Sequence, residues 1–135
     1  MTVLDTPRET PAPNPAPPSP ATSAQRLKIR VRSSGSVTVV SVAGRLDWAT
    51  CPALAAQLET VHERATAVAV DLRGVLECDA LGVSVLVAAH AGCAVAGVPF
   101  AVVAPARPVR RVLQQIGIET LFTITESAGD AAADR

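Results

Sequence analysis

The amino-acid sequence predicts an α/β sandwich: a mixed, mostly parallel sheet of four to five strands with helices packed on it. Three observations carry this. Short apolar runs (residues 37–43, 68–72 and 100–103) alternate with longer segments of helical period. The connections between them are brief and punctuated by Gly and Pro. The run Val68-Ala69-Val70-Asp71-Leu72 is apolar on both parities, as a central parallel strand buried on two faces would be. A length of 135 residues suits one domain with a modest core.

Seven of the eleven prolines fall in residues 1–25, mixed with Ala, Thr, Ser and Asn. A stretch with few backbone donors and little apolar surface is read as a disordered extension, partly polyproline-like. It has no apolar core of the kind a secretory signal requires. The folded domain is expected over residues 26–125, and residues 126–135 as a weakly structured tail.

Leu27-Lys28-Ile29-Arg30-Val31-Arg32 alternates apolar and basic residues, the mark of a half-exposed strand. Turn residues Ser33-Ser34-Gly35-Ser36 then lead to a partner strand at 37–43, giving a hairpin. Pro52 suits the first turn of a helix capped by Thr50 or Cys51, whose Leu54, Leu58 and Val61 form one apolar stripe. His62 reads as a solvated surface residue. After the strand at 68–72 comes an apolar helix over 81–95, ended by Gly97 and Pro99. The strand at 100–103 precedes an amphipathic helix that begins at Pro108, turns Val109, Val112, Leu113 and Ile116 inward, and closes at Gly117. A last short strand is expected within 121–124.

Composition excludes several function classes. Formal net charge is zero and the aromatic residues are only Trp48, Phe100 and Phe122, so neither a basic field nor a base-stacking platform points to nucleic acid. Three cysteines at unrelated spacings fit a reducing, cytoplasmic setting better than a disulfide framework. His90, Cys93 and Cys78 lack the spacing of metal ligands, so no metal and no cofactor is expected. Residues 81–106 carry no charge, but Gly97-Val98-Pro99 divides them into pieces too short to cross a bilayer, so direct membrane insertion is not expected. Nor is an enzyme: no Ser/His/acid set or phosphate-cradling Gly loop is present, and Asp79 beside Cys78 would raise the thiol pKa and keep it unreactive.

The segment Glu77-Cys78-Asp79-Ala80-Leu81-Gly82-Val83 is the functional focus. It joins a buried strand to a helix, with Asp79 placed to cap the helix and complement its dipole. Around it stand further motifs. Val39-Val40-Ser41-Val42-Ala43-Gly44-Arg45-Leu46-Asp47 and Val68 to Val75, with its Asp71-Leu72 exit, precede it; Gly97-Val98-Pro99 and Val112 to Phe122 follow. In order and spacing these resemble the STAS domain family, in particular bacterial anti-sigma factor antagonists.

That resemblance implies a STAS-like sandwich that docks on an anti-sigma factor with a kinase-type ATP-binding fold and so regulates transcription. It also implies a phospho-acceptor serine at the start of the second helix, whose added charge of about −1.5 to −2 ends docking. Here that position holds Leu81, preceded by Ala80, and neither has a hydroxyl. The expectation is a module without the usual phosphoswitch, whose partner-binding residues are Leu46, Asp47, Trp48, Asp79, Ala80, Leu81 and Gly82. Ser84, one turn further along and half buried, is the candidate for a displaced phosphosite. The resemblance also leaves open an accessory subunit of a membrane transport ATPase, a ligand-sensing domain, and a homodimer.

Overall fold

The computed structural model describes residues 26–127; the proline-rich extension and all but the start of the expected tail lie outside the described residues. Nine elements follow in order: β1 (Lys28–Ser34), β2 (Val37–Leu46), α1 (Cys51–His62), β3 (Val68–Cys78), α2 (Ala80–Ala96), β4 (Phe100–Val103), α3 (Arg107–Ile116), a 3₁₀ turn (Glu119–Leu121) and β5 (Thr123–Thr125). The five strands form one sheet in sequence order, with β1 antiparallel to β2 and every other pair parallel.

Because β2 to β5 step across the sheet in one direction, right-handed crossovers put α1, α2 and α3 on the same face. The main core lies there. Leu54, Leu58 and Val61 of α1, Val83, Val85, Leu86 and Cys93 of α2, and Val109, Val112 and Leu113 of α3 meet Val40, Val42, Val70, Leu72 and Val102 of the sheet. Each fully buried leucine stabilises the fold by roughly 1.5–3 kcal/mol relative to exposure. The opposite parity builds a second, smaller cluster of Val37, Val39, Ala67, Ala69, Ala101 and Val103, which contains no helical residue.

The two C-terminal α-helices, α2 and α3, stop as the sequence predicts. Gly97 and Gly117 take φ of 74° and 82°, and the following amides of Val98 and Ile118 reach back to the carbonyls of Cys93 and Leu113. A left-handed residue costs glycine no steric penalty, and the two bonds satisfy carbonyls a helix end would leave free. Among the described residues no helix is long and apolar enough to cross a membrane.

Several expectations need correction. The third strand does not end at Leu72 but continues to Cys78, so only Asp79 separates it from α2. Its distal half pairs with an equally extended β2, through register shifts at Ser41/Ala43 and Gly44/Arg45. Arg73 and Glu77 are tolerated within it because β4 pairs only with residues 68–71, which leaves the far edge open to solvent. Ile116, expected to point inward, is about half exposed. Glu119–Leu121 is a 3₁₀ turn, and the last strand begins two residues later than expected. His62 is half-buried, with Nδ1 3.3 Å from the Leu58 carbonyl and its ring facing Gly92 of α2.

Candidate functional site

The loop between β2 and α1 and the start of α2 are tied together by one side chain. Asp79 is the N-cap of α2 in extended backbone conformation. One carboxylate oxygen accepts from the Gly82 amide at 2.8 Å; the other accepts from the Trp48 amide at 3.1 Å. Its own amide donates to the Leu46 carbonyl at 3.2 Å. The cap satisfies a first-turn donor and places negative charge at the positive end of the helix, and the same group fixes the neighbouring loop.

That loop has internal support. Asp47 Oδ1 accepts from the amides of Ala49 and Thr50 at 3.0 and 3.2 Å, a side-chain mimic of a backbone turn. Thr50 is the N-cap of α1 by position, yet its hydroxyl caps nothing. It donates to the Arg45 carbonyl at 2.7 Å and accepts from the Asp47 amide at 3.0 Å. Arg45 in turn holds Glu77 across the strands at 2.8 Å. The sequence predicts Thr50 or Cys51 as a cap and gives the Arg45 and Glu77 side chains no role of their own, because these ties depend on a cross-strand register that no local pattern displays.

The seven expected docking residues divide into two groups. Trp48 is 70% exposed, Leu81 is 55% exposed, and Ala80 also faces solvent, with Asp47 and Asp79 partly accessible between them. Leu46 and Gly82, by contrast, are buried and cannot present side chains to a partner. Gly82 is packed so closely on β2 that a Cβ there would collide with the Leu46 carbonyl oxygen. Both therefore set the shape of the loop from beneath. Leu76, three residues before Asp79 on β3, is a further exposed leucine at this end of the sheet, at 66%.

Ser84 is exposed, not half-buried, and its hydroxyl donates to the Leu81 carbonyl at 2.6 Å. The Cys78 thiol is pushed up to about 12, first by burial and second by the neighbouring Asp79 carboxylate. It is a protonated, unreactive group at neutral pH. Among the described residues no cluster of three or more His, Cys, Asp or Glu is placed to hold a metal ion. His90 instead packs edge-on against Phe100 and Phe122, with ring centroids 6.0 and 5.6 Å away, and Cys93 is buried in the core.

Residues 29–125 match a family model described as "Mlab, STAS domain". Among solved structures, an anti-sigma factor antagonist from Mycobacterium paratuberculosis is 26% identical, with a TM-score of 0.70 over 82% of this chain and 94% of that one. The Bacillus cell fate determinant SpoIIAA in its phosphorylated form is 14% identical, with a TM-score of 0.62 over 80% of this chain and 100% of that one. A sulfate transporter family protein from Wolinella succinogenes is 16% identical, with a TM-score of 0.62 over 74% and 84% of the two chains. At such low identity the last two share the fold. No curated protein sequence matches the chain. With a family model spanning most of its length and a five-stranded sheet of matching architecture, this chain belongs to the STAS domain family.

Proposed function

We propose that this STAS domain is a docking module of the anti-sigma factor antagonist type, whose partner is an anti-sigma factor with a kinase-type ATP-binding fold. The observation that carries the reading is the pair of exposed apolar side chains, Trp48 on the loop after β2 and Leu81 in the first turn of α2, braced by the single carboxylate of Asp79. A few large side chains on a rigid support dominate affinity at such surfaces, and pre-organisation lowers the entropy lost on binding. The likeness to the mycobacterial antagonist supports this class of partner.

The module acts without an on/off phosphate at the head of α2. Leu81 has no hydroxyl to modify, so its contribution to the interface is apolar and constitutive. A phosphate there would add about −1.5 to −2 charge beside the Asp79 carboxylate and would oppose docking by repulsion and desolvation. Release from the partner then has to come from competition or from another site. The protein is a binding module and performs no catalysis of its own.

The test is a binding titration between the full chain and a purified anti-sigma factor kinase from the same host, by biolayer interferometry with and without ATP. Saturable binding that Leu81→Ala or Trp48→Ala weakens at least tenfold, and that ATP leaves unchanged, is expected. In a Leu81→Ser variant, kinase treatment should introduce a phosphate and abolish binding. Equal binding by phosphorylated Leu81→Ser and wild type would remove this loop from the interface. Stoichiometric phosphate on Ser84 of the wild type would overturn the absence of a switch. Co-purification with a transport ATPase in place of an anti-sigma factor would overturn the partner class.

A further inference from the structure

The face of the sheet that carries no helix contains a trough of about 290 Å³. Its floor is low because the residues there are small: Ser41 and Ala43 of β2 and Gly74 of β3. Its walls are high because they are long cations, Lys28 and Arg30 on β1 and Arg73 on β3. The strand register explains the juxtaposition. Lys28 lies opposite Ala43, which lies opposite Gly74, and Arg30 lies opposite Ser41, which lies opposite Asp71. Two strand spacings of about 4.8 Å set the walls roughly 10 Å apart. An anionic group on the floor would thus stand between the β1 cations and Arg73, with the Asp71 carboxylate, which also lines the trough opposite Arg30, held by Arg73.

On the β1 wall the charges have no ion-pair partner among the described residues. Arg73 already engages Asp71, with Nε 3.1 Å from the carboxylate, and also donates to the Glu126 carbonyl at 3.3 Å. Lys28, Arg30 and Arg32 are all exposed, point to this face by strand alternation, and enter no ion pair among the described residues. β1 is also the outermost strand, with one backbone edge unpaired among the described residues. Charged side chains do guard such edges against aggregation. Guarding alone, however, does not require a cleft beside the cations.

We infer that this trough takes an extended acidic segment of a protein partner, with alternate carboxylates facing Lys28 and Arg30 and, beyond the trough along β1, Arg32. An extended chain presents every second side chain to one face, which is the repeat of the three cations on β1. Opposite charges directly across strands are favourable, and like charges are not. A second copy of this chain is therefore a poor occupant, because pairing β1 with β1 sets cation against cation. The surface lies on the opposite side of the sheet from α2, and the inference does not rest on the role proposed for Leu81 and Trp48.

The test titrates the full chain into a fluorescein-labelled oligo-glutamate peptide at low ionic strength and follows anisotropy. Saturable binding that weakens with added salt is expected. Combined Lys28→Glu and Arg30→Glu substitution should weaken it about tenfold or more, and the milder Lys28→Gln with Arg30→Gln should weaken it less. Both pairs are exposed, and far-UV circular dichroism confirms their fold. Leu81→Ser and Trp48→Ala should leave peptide binding unchanged, so failure of this surface and failure of the docking loop are distinguishable. No anisotropy change with wild type, or undiminished binding by the charge-reversed protein, would overturn the inference. Tighter binding of phosphatidylserine vesicles or of a single-stranded oligonucleotide than of the peptide would overturn the partner class.

Discussion

Asp79 and Trp48, thirty-one positions apart in the chain, are joined by a 3.1 Å hydrogen bond from the Trp48 amide to a carboxylate oxygen. The other oxygen of the same carboxylate caps α2 through the Gly82 amide. A residue that would need only one acceptor to start a helix therefore uses its second to hold the neighbouring loop, and with it the exposed indole. Shape at this surface is a property of the pair.

Replacing Asp79 should separate these two duties. Asp79→Ala removes both acceptors and should destabilise the domain by about 1–2 kcal/mol, the upper part of the range for a lost cap. Asp79→Asn retains one carbonyl oxygen and should fall between alanine and wild type. Urea denaturation reads the stability. In a ¹⁵N–¹H spectrum the Trp48 amide should shift in both variants; a stationary Trp48 resonance would contradict the bridge.

Gly82 tests the floor of the same loop. The nearest atom to an added Cβ is a backbone carbonyl, which cannot swing aside as a flexible side chain would. Gly82→Ala should cost about 1–3 kcal/mol by overpacking, despite the higher helix propensity of alanine. A thermal midpoint equal to or above that of wild type would show that β2 and α2 separate easily, against the packing described.

Cys78 gives a pH prediction. Its folded-state pKa is raised to about 12 from the ordinary 9.0, so the fold favours the neutral thiol. The associated stability is fully present below 9.0 and is lost as pH rises toward about 12, because the unfolded chain ionises first. Chemical denaturation across that window should show falling stability, and Cys78→Ala should flatten the fall. At about pH 8, iodoacetamide should label Cys78 slowly in the native protein and quickly in urea.

In the main core, Leu54 of α1 and Leu86 of α2 are fully buried. Leu54→Ala or Leu86→Ala should each cost about 2–5 kcal/mol, the span reflecting how far the surrounding side chains close the cavity. By contrast Glu77→Gln, which removes an exposed partner of Arg45, should change stability by less than about 1 kcal/mol. Urea midpoints that reverse this order would contradict the assignment of core and surface.

Local chemistry alone determined much of this protein. The order of strands and helices, the caps at Asp79, Gly97 and Gly117, the first-turn Pro52 and the apolar stripe of α1 all follow from residues within a few positions of one another. Only the tertiary structure decided how far β3 runs, because residues 73–78 become strand by pairing with a β2 more than thirty positions earlier. The same pairing buries Leu46, brings its carbonyl against Gly82 and leaves Leu81 and Trp48 exposed. It also aligns Lys28 and Arg30 across Ala43 and Ser41 from Gly74 and Asp71. Periodicity tells which residues face together along one element; register, which joins distant segments through the backbone, tells which of them meet.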